Sequence, residues 1–171
     1  MATLPNKQAR LFYAVWPDDA TRNSLRQLQA HIQGRKTHAD DFHLTLAFLG
    51  LRPPELLPVL HDILQALPTI NTSFVLDRFG YFEHNKVAWT GMTQPPPELF
   101  QLHSQLMQAL ERSNIPIYDR LEFHPHITLA RKANAPGDMP FTPIIWQAKR
   151  IALVQSRPEA HDAKYEVLAL R

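Results

Sequence analysis

The spacing of apolar residues divides the chain into short strands and three amphipathic helices. Arg10 to Trp16 is an aromatic and β-branched run closed by Pro17, and it reads as a strand. Asp18 follows as an N-cap. Leu25, Leu28 and Ile32 recur at helical spacing up to Gly34, which is expected to end that helix. Phe42 to Leu49 is a second apolar run, stopped by Gly50. Pro53 and Pro54 open a helix bearing Leu56, Leu60, Ile63, Leu64 and Leu67, and Pro68 marks its exit. Ser73 to Phe82 and Lys86 to Met92 read as two strands joined by a hairpin at Glu83-His84-Asn85. Pro95-Pro96-Pro97 is a stiff lead into a helix with Leu99, Leu102, Leu106 and Leu110 on one face. His126 to Ala130, Ile151 to Ser156 and Tyr165 to Leu170 are further strands. Asn134 to Pro143, rich in proline and glycine, and the polar stretch Arg157 to Lys164 are loops.

Strands and helices interleave, yet no glycine-rich strand-to-helix turn of a dinucleotide fold is present, and the chain has only 5 glycines. Short strands joined by hairpins favour an α+β fold with antiparallel sheets over a parallel doubly wound one.

Two segments about half a chain apart repeat. Asp41-Phe42-His43-Leu44-Thr45-Leu46-Ala47 and His124-Pro125-His126-Ile127-Thr128-Leu129-Ala130, aligned on their threonines, both read His-apolar-Thr-Leu-Ala. The repeat suggests two related lobes, each giving one strand to a shared site. Alternation on a strand turns His43 and Thr45 to one face and Leu44 and Leu46 to the other; His126 and Thr128 part from Ile127 and Leu129 in the same way. Set side by side about a two-fold axis, the strands flank a gap with two imidazoles and line its floor with two hydroxyls. This suits in-line attack at phosphorus. One neutral imidazole takes a proton from the nucleophile, and the other, charged, gives one to the leaving oxygen. Imidazole is apt because both its forms are accessible near neutrality. The threonine hydroxyls can donate to the non-bridging phosphate oxygens. Arg131 can clamp the phosphate with two hydrogen bonds. Strict alternation places it opposite His126, so the strand must end or twist near Ala130. The first copy has Phe48 in that place, which makes the site asymmetric.

Composition narrows the chemistry. The 171 residues are 44% hydrophobic and 20% charged, ordinary globular usage, and none is cysteine. Disulfides, zinc–thiolate sites, iron–sulfur clusters and a cysteine nucleophile are therefore excluded. A net charge of +2 is not that of a protein that coats nucleic acid, though it leaves room for a basic phosphate pocket. The opening apolar run is too short for a signal-peptide core or a membrane span, and no other stretch approaches membrane length, so a soluble cytoplasmic protein with no membrane contact is expected. A monomer is the expectation for its assembly.

The two His-x-Thr-x units resemble those of the two-histidine (2H) phosphoesterase superfamily. The fuller strings FHLTLAFLG and FHPHITLAR are similar to its bacterial and archaeal RNA 2′,3′-cyclic phosphodiesterase branch, historically called 2′-5′ RNA ligase. The likeness extends to the opening RLFYAVWP, to VAWTGM with its following prolines, and to the region of Ser156 and Tyr165, so it spans essentially the whole chain. It implies that residues 1–171 form one bilobal α+β domain, with two pseudo-two-fold-related lobes around a central groove and helices outside. It implies hydrolysis of RNA 2′,3′-cyclic phosphate ends to 2′-phosphomonoesters, without cofactor or metal. In such enzymes the first motif's histidine, here His43, donates a proton to the departing 3′-oxygen, and the second, here His126, activates water. The reverse reaction, with a 5′-hydroxyl as nucleophile, would form a 2′-5′ linkage.

Other readings compete. His124 and His126 could form a metal pair with His38, Asp40 or Asp41, but no recognised metal spacing links them, and His124 reads as structural. His31, His61, His84, His103 and His161 read as solvated. Tyr13, Phe48, Trp89 and Tyr165 are candidates to stack a base, with packing the expectation for Phe48 and Trp89. Arg35, Lys36, Arg131 and Lys132 are either a basic rim for RNA or a solvated face. Alternative functions are a phosphodiesterase for small cyclic nucleotides or an ADP-ribose cyclic phosphate, and a non-catalytic RNA binder.

Overall fold

A computed structural model describes residues 7–117, 122–139 and 141–171. Along the chain run β1 (Ala9–Val15), α1 (Asp19–Gln29), β2 (Arg35–Lys36), β3 (Leu44–Arg52), α2 (Leu57–Ala66), β4 (Thr72–Leu76), β5 (Arg78–Phe82), β6 (Val87–Gly91), α3 (Pro97–Arg112), β7 (His126–Arg131), β8 (Ile144–Ala148), β9 (Ile151–Ser156) and β10 (Tyr165–Leu170). Short 3-10 turns, Ala39–Asp41 and Pro54–Leu56, precede β3 and α2. One sheet has the order β10-β9-β1-β3-β7-β6-β5, with β2 also paired to β7, and β4 and β8 form a separate pair. Every described pairing is antiparallel, which makes the fold α+β.

Alternation along the strands sorts the two faces of the large sheet. Leu11, Tyr13 and Val15 of β1, Leu44 and Leu46 of β3, and Ile127 and Leu129 of β7 join Leu25, Leu60, Leu64, Leu99 and Leu106 of the helices in one core. The Tyr13 hydroxyl donates to the Leu60 carbonyl at 2.7 Å, and burial raises its pKa, so it stays a neutral donor. On the other face Phe12, Ala14, Trp16, Ala152 and Val154 make a smaller cluster. The helices therefore cover one face and leave the other for a cleft.

Several expected boundaries move. Asp18 caps α1 as expected, its carboxylate accepting from the Thr21 amide at 2.7 Å, but the helix ends at Gln29 rather than near Gly34. Gly34 instead has φ +134, and a Cβ there would lie 2.8 Å from Ala133 Cα. It permits close backbone approach to the end of β7. Gly50 does not stop its strand: at φ +70 it sits in a bulge, and β3 continues to Arg52. The stretch Ser73 to Phe82 is two strands in different sheets, parted at Asp77, whose carboxylate accepts from the Thr93 amide at 2.7 Å. Two strands, β2 and β8, carry no expectation from the sequence. The loop expected from Asn134 to Pro143 is present, with Pro140 outside the described residues.

The two motif strands meet at a narrow seam. β3 and β7 pair at Leu44–Ile127. Continuing that antiparallel register one residue each way sets His43 opposite Thr128 and Thr45 opposite His126. The relation between the motifs is thus an approximate two-fold axis through the seam.

Candidate active site

Each motif strand carries a bulge in the same place. Against β1, Tyr13 pairs with Ala47 and Ala14 with Thr45, so Leu46 is extra. Against β6, Ala88 pairs with Ala130 and Trp89 with Thr128, so Leu129 is extra. Leu46 and Ala47 are both buried, as are Leu129 and Ala130. Two consecutive inward residues rephase the strand. Phe48 and Arg131 consequently turn to the same face as the histidine and threonine before them. This resolves the conflict that strict alternation posed for Arg131. It also corrects the expectation that Phe48 packs inside: it is 53% exposed. Trp89 is buried, its ring lying across Gly80, the residue directly opposite it in the register, where a Cβ would come within 1.9 Å of the indole.

A cleft of about 960 Å³ opens on this face, and His43, Thr45, His126, Thr128 and Arg131 all line it. The imidazoles are held alike. The Nδ1–H of His43 donates to the Asp41 carbonyl at 2.6 Å, and that of His126 to the His124 carbonyl at 2.7 Å. A carbonyl only accepts, so Nδ1 carries the proton in both rings and Nε2 keeps its lone pair. Among the described residues no protein group bonds either Nε2 or the hydroxyls of Thr45 and Thr128. Aromatic walls fix the rings: Phe12 and Tyr165 lie 4.8 and 5.0 Å from His43, and Phe82 and Trp89 lie 5.1 and 5.9 Å from His126.

Burial sets their protonation. Desolvation pushes His43 down to about 4, opposed by the Asp41 carbonyl and assisted by the charges of His126 and Arg131. Desolvation also lowers His126, opposed by the His124 carbonyl and assisted by His124 and Arg131. Both rings are therefore neutral near pH 7 until an anion arrives. His126 acts electrostatically on His43, Arg131 acts on both, and all three line the one cleft.

Sequence reasoning missed the support beneath them. The sequence offers Asp41 only as one of several conceivable metal ligands. Its carboxylate is buried and accepts the Lys164 amide at 3.0 and 2.8 Å and the Tyr165 amide at 3.1 Å. One residue thus aims His43 through its carbonyl and seats Tyr165, a wall of the His43 pocket, through its side chain. Gln29 gives a second support. Its buried amide donates to Thr37 O at 2.8 Å and Leu129 O at 2.6 Å, pinning the bulge that aims Arg131. Only the 3.6-residue spacing hinted that Gln29 faces inward. His103 is not simply solvated: it stacks on Phe123 at 4.0 Å, and burial lowers its pKa. His84 and His161 line the cleft. His124 packs edge-on to Trp89 at 4.9 Å.

Two imidazoles of one tautomer, two hydroxyls without a partner among the described residues and a guanidinium line a common cleft, an arrangement able to support acid–base chemistry on an anion. The chain belongs to the 2′-5′ RNA ligase superfamily, whose family model matches residues 17–158. It is 34% identical over 135 residues to the RNA 2′,3′-cyclic phosphodiesterase of Escherichia coli, a match covering 77% of this chain and 76% of that one. It is 32% identical to the RNA 2′,3′-cyclic phosphodiesterase of Thermus thermophilus, over 93% of this chain and 87% of that one. Among solved structures, E. coli LigT in its apo form superposes with a TM-score of 0.82 at 29% identity, covering 96% of this chain and 97% of that one.

Proposed function

We propose that this protein hydrolyses RNA 2′,3′-cyclic phosphate ends to 2′-phosphomonoesters, with His43 and His126 as acid and base. The observation that carries the reading is the matched pair of Nδ1–carbonyl bonds, which leaves both Nε2 atoms for a phosphoryl group on the cleft floor. Relatives at 34% and 32% identity bear the name RNA 2′,3′-cyclic phosphodiesterase. Neutral His126 takes a proton from water through Nε2 as the water oxygen bonds to phosphorus. Protonated His43 gives its Nε2 proton to the 3′-oxygen as the phosphorus–O3′ bond breaks. Both imidazoles keep Nδ1–H on their carbonyl, so neither ring turns during the cycle. Thr45, Thr128 and Arg131 hold the non-bridging oxygens as charge moves onto them. With a 5′-hydroxyl in place of water, the same step forms a 2′-5′ linkage: the 5′-oxygen bonds to phosphorus and the 3′-oxygen leaves with the His43 proton. The volume of the cleft exceeds that of a single nucleotide, which favours an RNA end over a small cyclic nucleotide as substrate.

Replacing either histidine by alanine should lower kcat by about 10²–10⁴-fold, the usual worth of a positioned acid or base, with an unchanged circular dichroism spectrum. A phosphodiester with a 4-nitrophenyl leaving group separates the roles. Its phenolate departs without a proton, so His43→Ala should recover most of its activity on it and His126→Ala should not. Equal loss for both variants on that substrate would contradict the assignment.

A further inference from the structure

Arg35 in β2 stands directly opposite Arg131 in β7. Like charges in that position repel, and sheet surfaces ordinarily set opposite charges there. Neither guanidinium has an ion-pair partner among the described residues. The fold nevertheless holds the two together. Gly34 lets the backbone pass against Ala133, Thr37 N donates to Leu129 O at 2.9 Å, and the Gln29 amide ties Thr37 O to Leu129 O. Both arginines line the cleft.

Their places along β7 differ in consequence. β2 and β3 lie on the same edge of β7, at Arg131–Ala130 and at Ile127 respectively. Arg35 is therefore on the His43 bank, displaced along β7 away from the seam. The charge of Arg131 acts on both imidazoles, and that of Arg35 is not among the influences on either. A cyclic phosphodiester carries one negative charge, already met by a protonated imidazole, two hydroxyls and Arg131. A second guanidinium is left over for a second anion.

We infer that Arg35, beside Arg131, forms a second phosphate subsite that takes the phosphate on the 5′ side of the terminal nucleoside. The enzyme thereby selects a cyclic end that belongs to a nucleotide chain over an isolated nucleoside cyclic phosphate. This rests on the phosphodiesterase reading above and names the feature of the substrate that the cleft reads. Arg35 offers a planar fork suited to a phosphodiester, whereas a lysine would offer only a point charge.

The test uses a minimal pair: adenosine 2′,3′-cyclic phosphate with a 5′-hydroxyl, and the same compound with a 5′-phosphate. The wild-type protein should turn over the 5′-phosphorylated probe with a kcat/KM about fivefold to tenfold higher, as a partly exposed charge-assisted contact supplies. Arg35→Gln should abolish that preference and leave turnover of the 5′-hydroxyl probe within about twofold of wild type, whereas Arg35→Lys should keep part of it. Matching thermal melts would exclude misfolding of an exposed-site variant. Equal wild-type rates on the two probes would overturn the subsite. So would an Arg35→Gln variant slowed alike on both, because Arg35 would then serve the reacting phosphate. Turnover of neither probe would overturn the subsite, because the 5′-phosphate would not suffice; a cyclic-ended oligonucleotide left intact as well would remove the phosphodiesterase reading itself.

Discussion

Each motif imidazole is packed among rings yet borders the cleft, and that conflict governs its titration. In the free protein desolvation holds His43 down to about 4 and His126 below its ordinary value of about 6.5. A bound phosphodiester brings negative charge, which favours imidazolium and raises the pKa of the ring that acts as acid. kcat/KM reports ionisations of the free enzyme and kcat those of the complex. Both profiles should be bell-shaped, with the kcat optimum at higher pH than the kcat/KM optimum. Coincident optima in steady-state profiles would show that substrate charge does not reach the histidines. At this scale the sequence was informative because chemistry repeated: His43, Thr45, His126 and Thr128 were legible as two copies of one pattern. The role of Asp41 was not legible. Its side-chain partners, Lys164 and Tyr165, lie at the far end of the chain, and nothing in the local string points to them.

Among elements, the matched bulges in β3 and β7 decide which residues face the reaction. Period-two counting from His126 puts Arg131 on the wrong side, and one unpaired leucine corrects it. Gln29 holds that correction from α1 through Leu129 O. Gln29→Leu leaves Thr37 O without its side-chain donor and Leu129 O with one donor fewer. It should cost about 1–3 kcal/mol of stability, read in a urea titration. Loosening β2 and the bulge should also raise KM more than it lowers kcat. Unchanged stability and KM would show that the bulge needs no pin. Apolar periodicity found β1, β3, β6, β7, β9, β10 and all three helices. β2 is two polar residues with no pattern to read. β8 alternates, with Trp146 buried and Ile145 73% exposed, but its adjacent isoleucines hide the period. The break at Asp77 is set by a tertiary bond that local propensity does not contain.

Over the whole molecule, a net charge of +2 is too small to hold nucleic acid by its field alone, so binding must come from a few placed contacts. With two phosphates engaged, log kcat/KM for a short oligonucleotide should fall against log salt with a slope of about −1.4, from roughly 0.7 per phosphate on a single strand. A slope steeper than about −4 would mean a long tract of backbone contacts instead. The α+β class and the paired site were legible because the repeat and the strand spacing agreed. That one sheet runs unbroken through both copies was not, since strand order depends on which edges meet. No helix among the described residues is long and apolar enough to cross a membrane.

The pair at the seam has an effect of its own. Leu44 and Ile127 both send their side chains into the hydrophobic interior, so the symmetry axis emerges between the imidazoles through bare peptide. The depth of the reaction chamber is thus fixed by backbone geometry, and no side chain at its centre can grow to fill it. Exchanges among aliphatic residues at these two positions are felt as changes in folding stability, while the room left for a phosphoryl group stays the same.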